Sequence, residues 1–323
     1  MTSTGRRKWF AISAWALLAF NIPVILWGAY VRVSFSGDGC GAHWPFCAGQ
    51  VIPQHMAAPM AIEFTHRMMT SVDTIGAILL CVLALRWYPK GHGVRRYAVL
   101  SLAFLFVEAL LGAGLVLFRY VAHDQSAGRA IYLSAHLTNT LLLLGAFTTT
   151  AWLAATGREK ARWNMLSGKF QAALAASVLV SITGAIAALG DTLFPSTSIA
   201  AGLQQDFSEA SSALLRLRMF HPVIAVIGTA IIIWAATGLL KRDEDSSSRK
   251  AGIRVIVLVL AQIMAGAINI VLLAPIATQM LHLFLADALW IAVVAMALES
   301  VSMGAGAELE QSLPLPHRVL EAN

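Results

Sequence analysis

Four histidines carry the clearest chemistry in the chain. Of nine in all, His43, His55, His92, His123 and His317 fall in loops or the tail, whereas His66, His136, His221 and His282 lie within long apolar runs. One histidine in an apolar helix is ordinarily an interhelical hydrogen-bonding residue. Two facing each other across a helical bundle can ligate a single metal centre. A porphyrin suits such a pair, because it needs an axial nitrogen on each side of its iron, an apolar slot for the macrocycle and cations for its propionates. Zinc suits it poorly, since two histidines lack the further ligands of a usual zinc site. The chain has no CxxCH, so a porphyrin would be held without covalent attachment. The residues therefore predict two bis-histidine heme-iron sites, His66 with His136 and His221 with His282.

Around these histidines stand other reactive groups. Cys40 and Cys47 bracket six residues of a glycine-rich loop, and Cys81 lies deep in an apolar run as a small core residue. On an oxidising side of a membrane the pair can form a disulfide, either as a staple or as an exchangeable bond near a substrate. Glu63 precedes His66 by three residues and shares its face if the helix begins by residue 62. It can cap the helix at the membrane boundary, or move protons beside a heme. Arg32, Arg67, Arg216 and Arg218 are candidates for pairing with propionates, and equally ordinary interfacial arginines. Asp73, Glu108, Asn139, Gln262, Asn269 and Asp287 are polar residues inside apolar runs. Interhelical hydrogen bonding is the first reading of each, with a proton path from Asp73, two turns from His66, as the functional one.

The elements that position these groups follow from composition. Of 323 residues, 58% are hydrophobic and only 12% charged, with mean hydropathy +0.71. A water-soluble domain carries about 25% charged residues, and disorder requires low hydrophobicity, so the chain is a polytopic membrane protein. Runs of about 20 apolar residues occur at 10–31, 66–87, 97–118, 131–155, 170–190, 217–239, 253–273 and 278–299. The first is too long for the apolar part of a signal peptide and no small-residue cleavage site follows it, which predicts a retained helix. Placing the N-terminus inside puts seventeen Lys and Arg on the inner segments and six on the outer. That bias puts both termini on the inner side, which is the cytoplasm if the membrane is a bacterial plasma membrane, the localisation expected for this chain. The net charge of +6 is explained by those inner loops. With no basic run interleaved with aromatics, no nucleic-acid partner is expected.

The chain also repeats itself. Gly28-Ala29 matches Gly184-Ala185 at an offset of 156, EALLGA at 108–113 matches QIMAGA at 262–267 at 154, and His66 matches His221 at 155. His136 matches His282 at 146, where the second half has almost no loop. Four spans separate equivalents, which predicts an all-α fold of eight transmembrane helices in two four-helix bundles related by a parallel repeat. The expected units are 1–160, 161–300 and a cytoplasmic tail at 301–323.

The loop SGDGCGAHWPFC at 36–47, EFTHR at 63–67 and the four histidines resemble the heme A synthase family over all eight spans. The resemblance implies oxidation of the C8 methyl of heme O to a formyl group by successive hydroxylations and loss of water. It implies His66 and His136 around the substrate heme, His221 and His282 on a heme b cofactor, Glu63 as the essential carboxylate, and Cys40 and Cys47 as the outer-loop cysteine pair. Implied partners are heme O, membrane lipid, a heme O synthase, terminal-oxidase assembly factors, an external thiol-disulfide or electron-transfer partner, and a second copy of the chain. Some members carry a second cysteine pair in the later outer loop, and residues 190–218 here contain none. Two rivals stand beside this reading. A quinone-linked di-heme cytochrome would usually place its hemes at two depths, whereas all four histidines lie toward one side. A transporter would favour broken helices at the midplane.

Overall fold

A computed structural model describes residues 3–208, 213–241 and 246–312, which are helical and contain no strand. Ten α-helices follow in order. They are α1 (Ser3–Val33), α2 (Ala58–Trp87), α3 (Gly93–Leu117), α4 (Ala127–Thr156), α5 (Gly168–Leu193), α6 (Ile199–Phe207), α7 (Ala213–Arg218), α8 (Phe220–Thr237), α9 (Ser247–Val271) and α10 (Ile276–Ser312). Eight are long and apolar enough to cross a membrane, the sixth of these counted from Arg216 through α8. Helices satisfy every backbone polar group within one segment, which a hydrocarbon layer demands.

Local chemistry sets the helix ends. Ser126, Ser198 and Ser246 each accept the backbone N–H three residues on, capping α4, α6 and α9. Pro59 sits in the first turn of α2, where its missing N–H costs nothing. Gly157 ends α4 at φ +72°, a conformation that favours glycine. Several helices run past their apolar spans. α2 starts at Ala58 rather than 66, α4 at Ala127 rather than 131, and α10 continues to Ser312 rather than 299. His66 consequently lies eight residues into α2 instead of opening it. The end of the predicted tail, with His317 and Arg318, falls outside the described residues, as do 242–245 of the charged segment between α8 and α9 and 209–212 between α6 and α7.

Helix α1 packs on α2 and α4, α2 on α3, and α3 on α4; α5 packs on α8, α8 on α9, and α10 on α9 and α5. Between these two sets α4 meets α5 and α10, and α1 meets α10. Trp290 crosses that seam by donating its Nε1–H to the Leu141 carbonyl at 2.7 Å, and Trp152 reaches the Glu299 carboxylate at 2.8 Å. The tight apolar core is uneven along the helices. Phe10, Leu18, Leu80, Ala84, Val94, Leu105, Leu144, Phe147 and Leu153 form one buried cluster, and Phe170, Ile232, Ala236, Val255, Val259, Val293 and Met296 another. Both lie toward the helix ends away from the Cys40–Cys47 loop. At the loop end all four histidines are only half-buried.

Candidate functional site

Each histidine rests on a glycine of the preceding membrane helix. A Cβ added at Gly28 would fall 2.9 Å from His66 Cε1, one at Gly184 3.0 Å from His221 Cε1, and one at Gly266 3.0 Å from His282 Cε1. At Gly112 the contact is looser, 3.5 Å from His136 Nε2. At Gly28, Gly184 and Gly266 the imidazoles thus occupy space that a side chain would take, and the close helix approach there favours glycine. These glycines belong to the repeated segments of the sequence, 156 and 154 residues apart.

The ring nitrogens have distinct partners. His136 Nδ1 lies 2.6 Å from the Glu108 carboxylate. His221 Nδ1 is 3.2 Å from the Thr183 hydroxyl, and His282 Nε2 is 3.3 Å from the Gln262 amide nitrogen. Nδ1 of His66 and of His282 are buried without a partner. The rings of His221 and His282 stand 6.5 Å apart, centroid to centroid, at 82°. Two metal–nitrogen bonds of about 2 Å each and two half-rings fill that distance. His66 lies within electrostatic reach of His136, Glu108 and Arg67. Among the described residues no three His, Cys, Asp or Glu side chains converge on one point, so each histidine pair leaves the other coordination positions to whatever arrives with the metal. Porphyrin nitrogens meet that requirement, and the unpartnered ring nitrogens and half-buried rings fit it.

The first loop closes over this end of α2. Cys40 and Cys47 are joined in a disulfide. Glu63 is 3% exposed; it accepts the Cys40 backbone N–H at 2.8 Å and the Arg67 guanidinium at 2.5 Å. Arg67 also donates to the carbonyls of His43, Pro45 and Phe46 at 2.8, 3.3 and 2.8 Å. Gly39 is pressed on the backbone of Pro59, where an added Cβ would stand 2.5 Å from the carbonyl carbon. Glu63 and Arg67 therefore grip the disulfide loop from one helical turn.

The other expected arginines are placed as follows. Arg32 donates to the Thr192 hydroxyl at 3.3 Å, from α1 to α5. Arg218 pairs with Asp191 at 3.1 Å and Asp206 at 2.6 Å, and Arg216 is exposed. Arg129, which the sequence does not mark as a site residue, is 2% exposed and donates to the carbonyls of Ala122 and Asp124. Its position three residues after the Ser126 cap was the only signal. Asp73 accepts from Asn21 at 3.0 Å, Asn269 from the Thr278 hydroxyl at 2.7 Å, and Asp287 is buried with one oxygen unpartnered. Cys81 is a free buried thiol.

Known proteins align with this chain over between a third and nine-tenths of its length. Two Thermus thermophilus strains carry proteins named protoheme IX farnesyltransferase that are 39% identical over 298 residues, covering 90% of this chain and 48% of theirs. The chain thus spans about half the length of those relatives. A heme A synthase of Geobacillus thermodenitrificans is 28% identical over 88% of both chains. One of Staphylococcus haemolyticus is 36% identical over 112 residues, 35% of this chain and 36% of its own. The family model described as COX15-CtaA, cytochrome oxidase assembly protein, matches residues 11–294, and the chain belongs to that family.

Proposed function

We propose that the chain is a heme A synthase, oxidising the C8 methyl of heme O to a formyl group by successive hydroxylations and loss of water. The observation that carries this reading is the set of four histidines, each seated on a glycine, in two pairs at matched sequence positions. The fold is read as two four-helix bundles in parallel repeat. Residues 1–160 hold the substrate heme between His66 and His136, and residues 161–300 hold heme b between His221 and His282. Heme b, when bound, supplies a one-electron carrier. The membrane is a bacterial plasma membrane with both termini inside.

The chain's own groups do the rest. The glycine notches fix the planes of the imidazoles. Glu63, anchored by Cys40 and Arg67, presents a fixed negative charge that steadies positive charge developing at the methyl carbon, or takes its proton. Arg32, which reaches Thr192 on the loop side of the seam, would meet a propionate on this reading. Partners on this reading are a heme O synthase upstream and terminal-oxidase assembly factors downstream.

Farnesyl transfer to protoheme IX is the second reading, because the Thermus proteins bear that name. Their unmatched length leaves room for such an activity outside the part this chain resembles. Chromatography with mass detection of hemes extracted after expression with heme O decides. Heme A or its C8 hydroxymethyl precursor beside heme b is expected. Heme b alone would favour an electron-transfer protein, and heme O appearing in cells given heme B and farnesyl diphosphate but no heme O would favour prenyl transfer. Glu63→Gln is expected to lower heme A by a hundredfold or so, a typical contribution of a positioned acid–base group, roughly 10²–10⁴-fold. Normal heme A from that variant would remove the carboxylate from the scheme.

A further inference from the structure

Glu108 on α3 and Gln262 on α9 occupy matched positions, 154 residues apart, each four residues before a glycine notch. That spacing puts each on the notch face of its helix. Both touch the histidine seated there, but with opposite electrical character. Glu108 faces His136 Nδ1 at 2.6 Å. It also accepts from the Asn139 amide at 2.5 Å and lies in contact with the Thr140 hydroxyl. Asn139 is pinned in turn by the Phe104 carbonyl at 2.8 Å. Three groups of α4 thus hold one carboxylate in place, with its side chain 16% exposed. Because Glu108 takes Nδ1, Nε2 against Gly112 is the nitrogen left to a metal. At the second site Gln262 brings a neutral amide to His282 Nε2, the other ring nitrogen, at a longer 3.3 Å, and there Nδ1 is the unpartnered nitrogen left to a metal.

We propose that Glu108 acts through His136 to hold iron in the N-terminal site at a lower reduction potential than iron in the C-terminal site, where Gln262 stands instead. This rests on the heme reading above. A carboxylate on the outer nitrogen of a ligating imidazole raises the basicity of the inner one. A nearby negative charge at low dielectric favours the ferric over the ferrous ion, and hydrogen bonding to an axial ligand is one of the levers a protein has on heme potential. An amide of the same length carries no net charge and provides neither effect. Glu108 is a positioning residue in this scheme, touching the ligand and not the iron. Both histidines sit on a glycine, and they differ in the group on the ring nitrogen turned away from the metal, a carboxylate on Nδ1 of His136 and an amide on Nε2 of His282.

Equilibrium redox titration of the heme-loaded full-length protein, followed by visible absorption and low-spin ferric EPR, tests the proposal. Two one-electron components are expected. Glu108→Gln should raise the lower one and leave the upper unmoved, changing the ferric-to-ferrous ratio at a set potential by about tenfold, which is 59 mV for one electron. The EPR g values of the same component should shift. Gln262→Glu should lower the upper component alone. If Glu108→Gln protein holds both hemes with both potentials and g values unmoved, Glu108 is only an interhelical hydrogen bond and the proposal fails. If that variant does not retain heme, Gln262→Glu decides, and an unmoved upper component overturns the proposal. A wild-type protein without bis-histidine heme signals would instead sink the heme reading itself.

Discussion

The two halves are alike where glycine and histidine meet and unlike in the charged groups beside them. His66 on Gly28 and His221 on Gly184 repeat one arrangement, 155 and 156 residues apart. Three residues before each histidine the charge reverses, with Glu63 in the first half and Arg218 in the second. Glu63 grips a disulfide loop through Cys40 and Arg67, whereas Arg218 is neutralised by Asp191 and Asp206. Beside the second histidine of each half, a carboxylate on Nδ1 in one is replaced by an amide on Nε2 in the other. A cradle of glycine and histidine is thus a reusable part, set by steric necessity. The charges placed around it differ between the matched positions, and on the proposed function that difference gives the two histidine pairs different work.

Removing one ligand from each half in turn is the strongest way to break that comparison. His66→Ala is expected to abolish heme in the first half and spare the second, and His221→Ala to do the reverse. Heme-to-protein ratio by pyridine hemochrome should fall from two toward one in each, while the double variant falls toward zero. Loss of both hemes from either single variant would mean that the halves do not act separately.

The membrane spans were legible because apolar runs of about 20 residues leave little else to form in lipid. Helix starts were not. Residues 58–65 mix Pro59 and Glu63 with apolar neighbours, so no unbroken apolar run marks the first turns of α2, on which Gly39 of the loop packs. The histidines could be read from type and spacing. Gly28 and Gly184 were visible as markers of the repeat, but their steric purpose depends on a neighbouring helix. Arg67 reads equally as a cation for a propionate and as an interfacial residue, and only the fold shows it occupied by Glu63 and three loop carbonyls. Glu108 announced a cost without naming His136, a partner 28 residues on in α4.

The glycine notches sharpen the comparison by degrees. Gly28→Ala and Gly184→Ala put a methyl group 2.9 and 3.0 Å from a ring carbon, and each should weaken heme binding in its own half. The expected loss is about 10- to 100-fold, as for other groups that orient a metal ligand. Gly112→Ala, at an ordinary 3.5 Å contact, should cost less. Alanine favours a helix over glycine by about 0.5–1 kcal/mol, so heme-free protein should keep or gain thermal stability. Heme titration against thermal melts separates the two effects. A fall in both would point to misfolding and away from a displaced ring.

The smallest effect is expected at the feature most particular to the first half. A bridge across seven residues contributes about 2 kcal/mol of loop closure in the chain-entropy account. Arg67 holds the same loop through three carbonyls without it. Cys40→Ser with Cys47→Ser should therefore leave heme content of both halves unchanged and lower heme A only a few-fold, as the Cys40 N–H loosens its hold on Glu63. Adding reductant to the unaltered protein should do no more. If the pair passes electrons during turnover, the double variant will instead fall as far as Glu63→Gln while still binding both hemes. Product yield per bound heme in the two variants, side by side, tells a staple from a redox partner. A staple would leave the difference between the halves resting on Glu63 and Glu108, two carboxylates with no acidic counterpart in the second half.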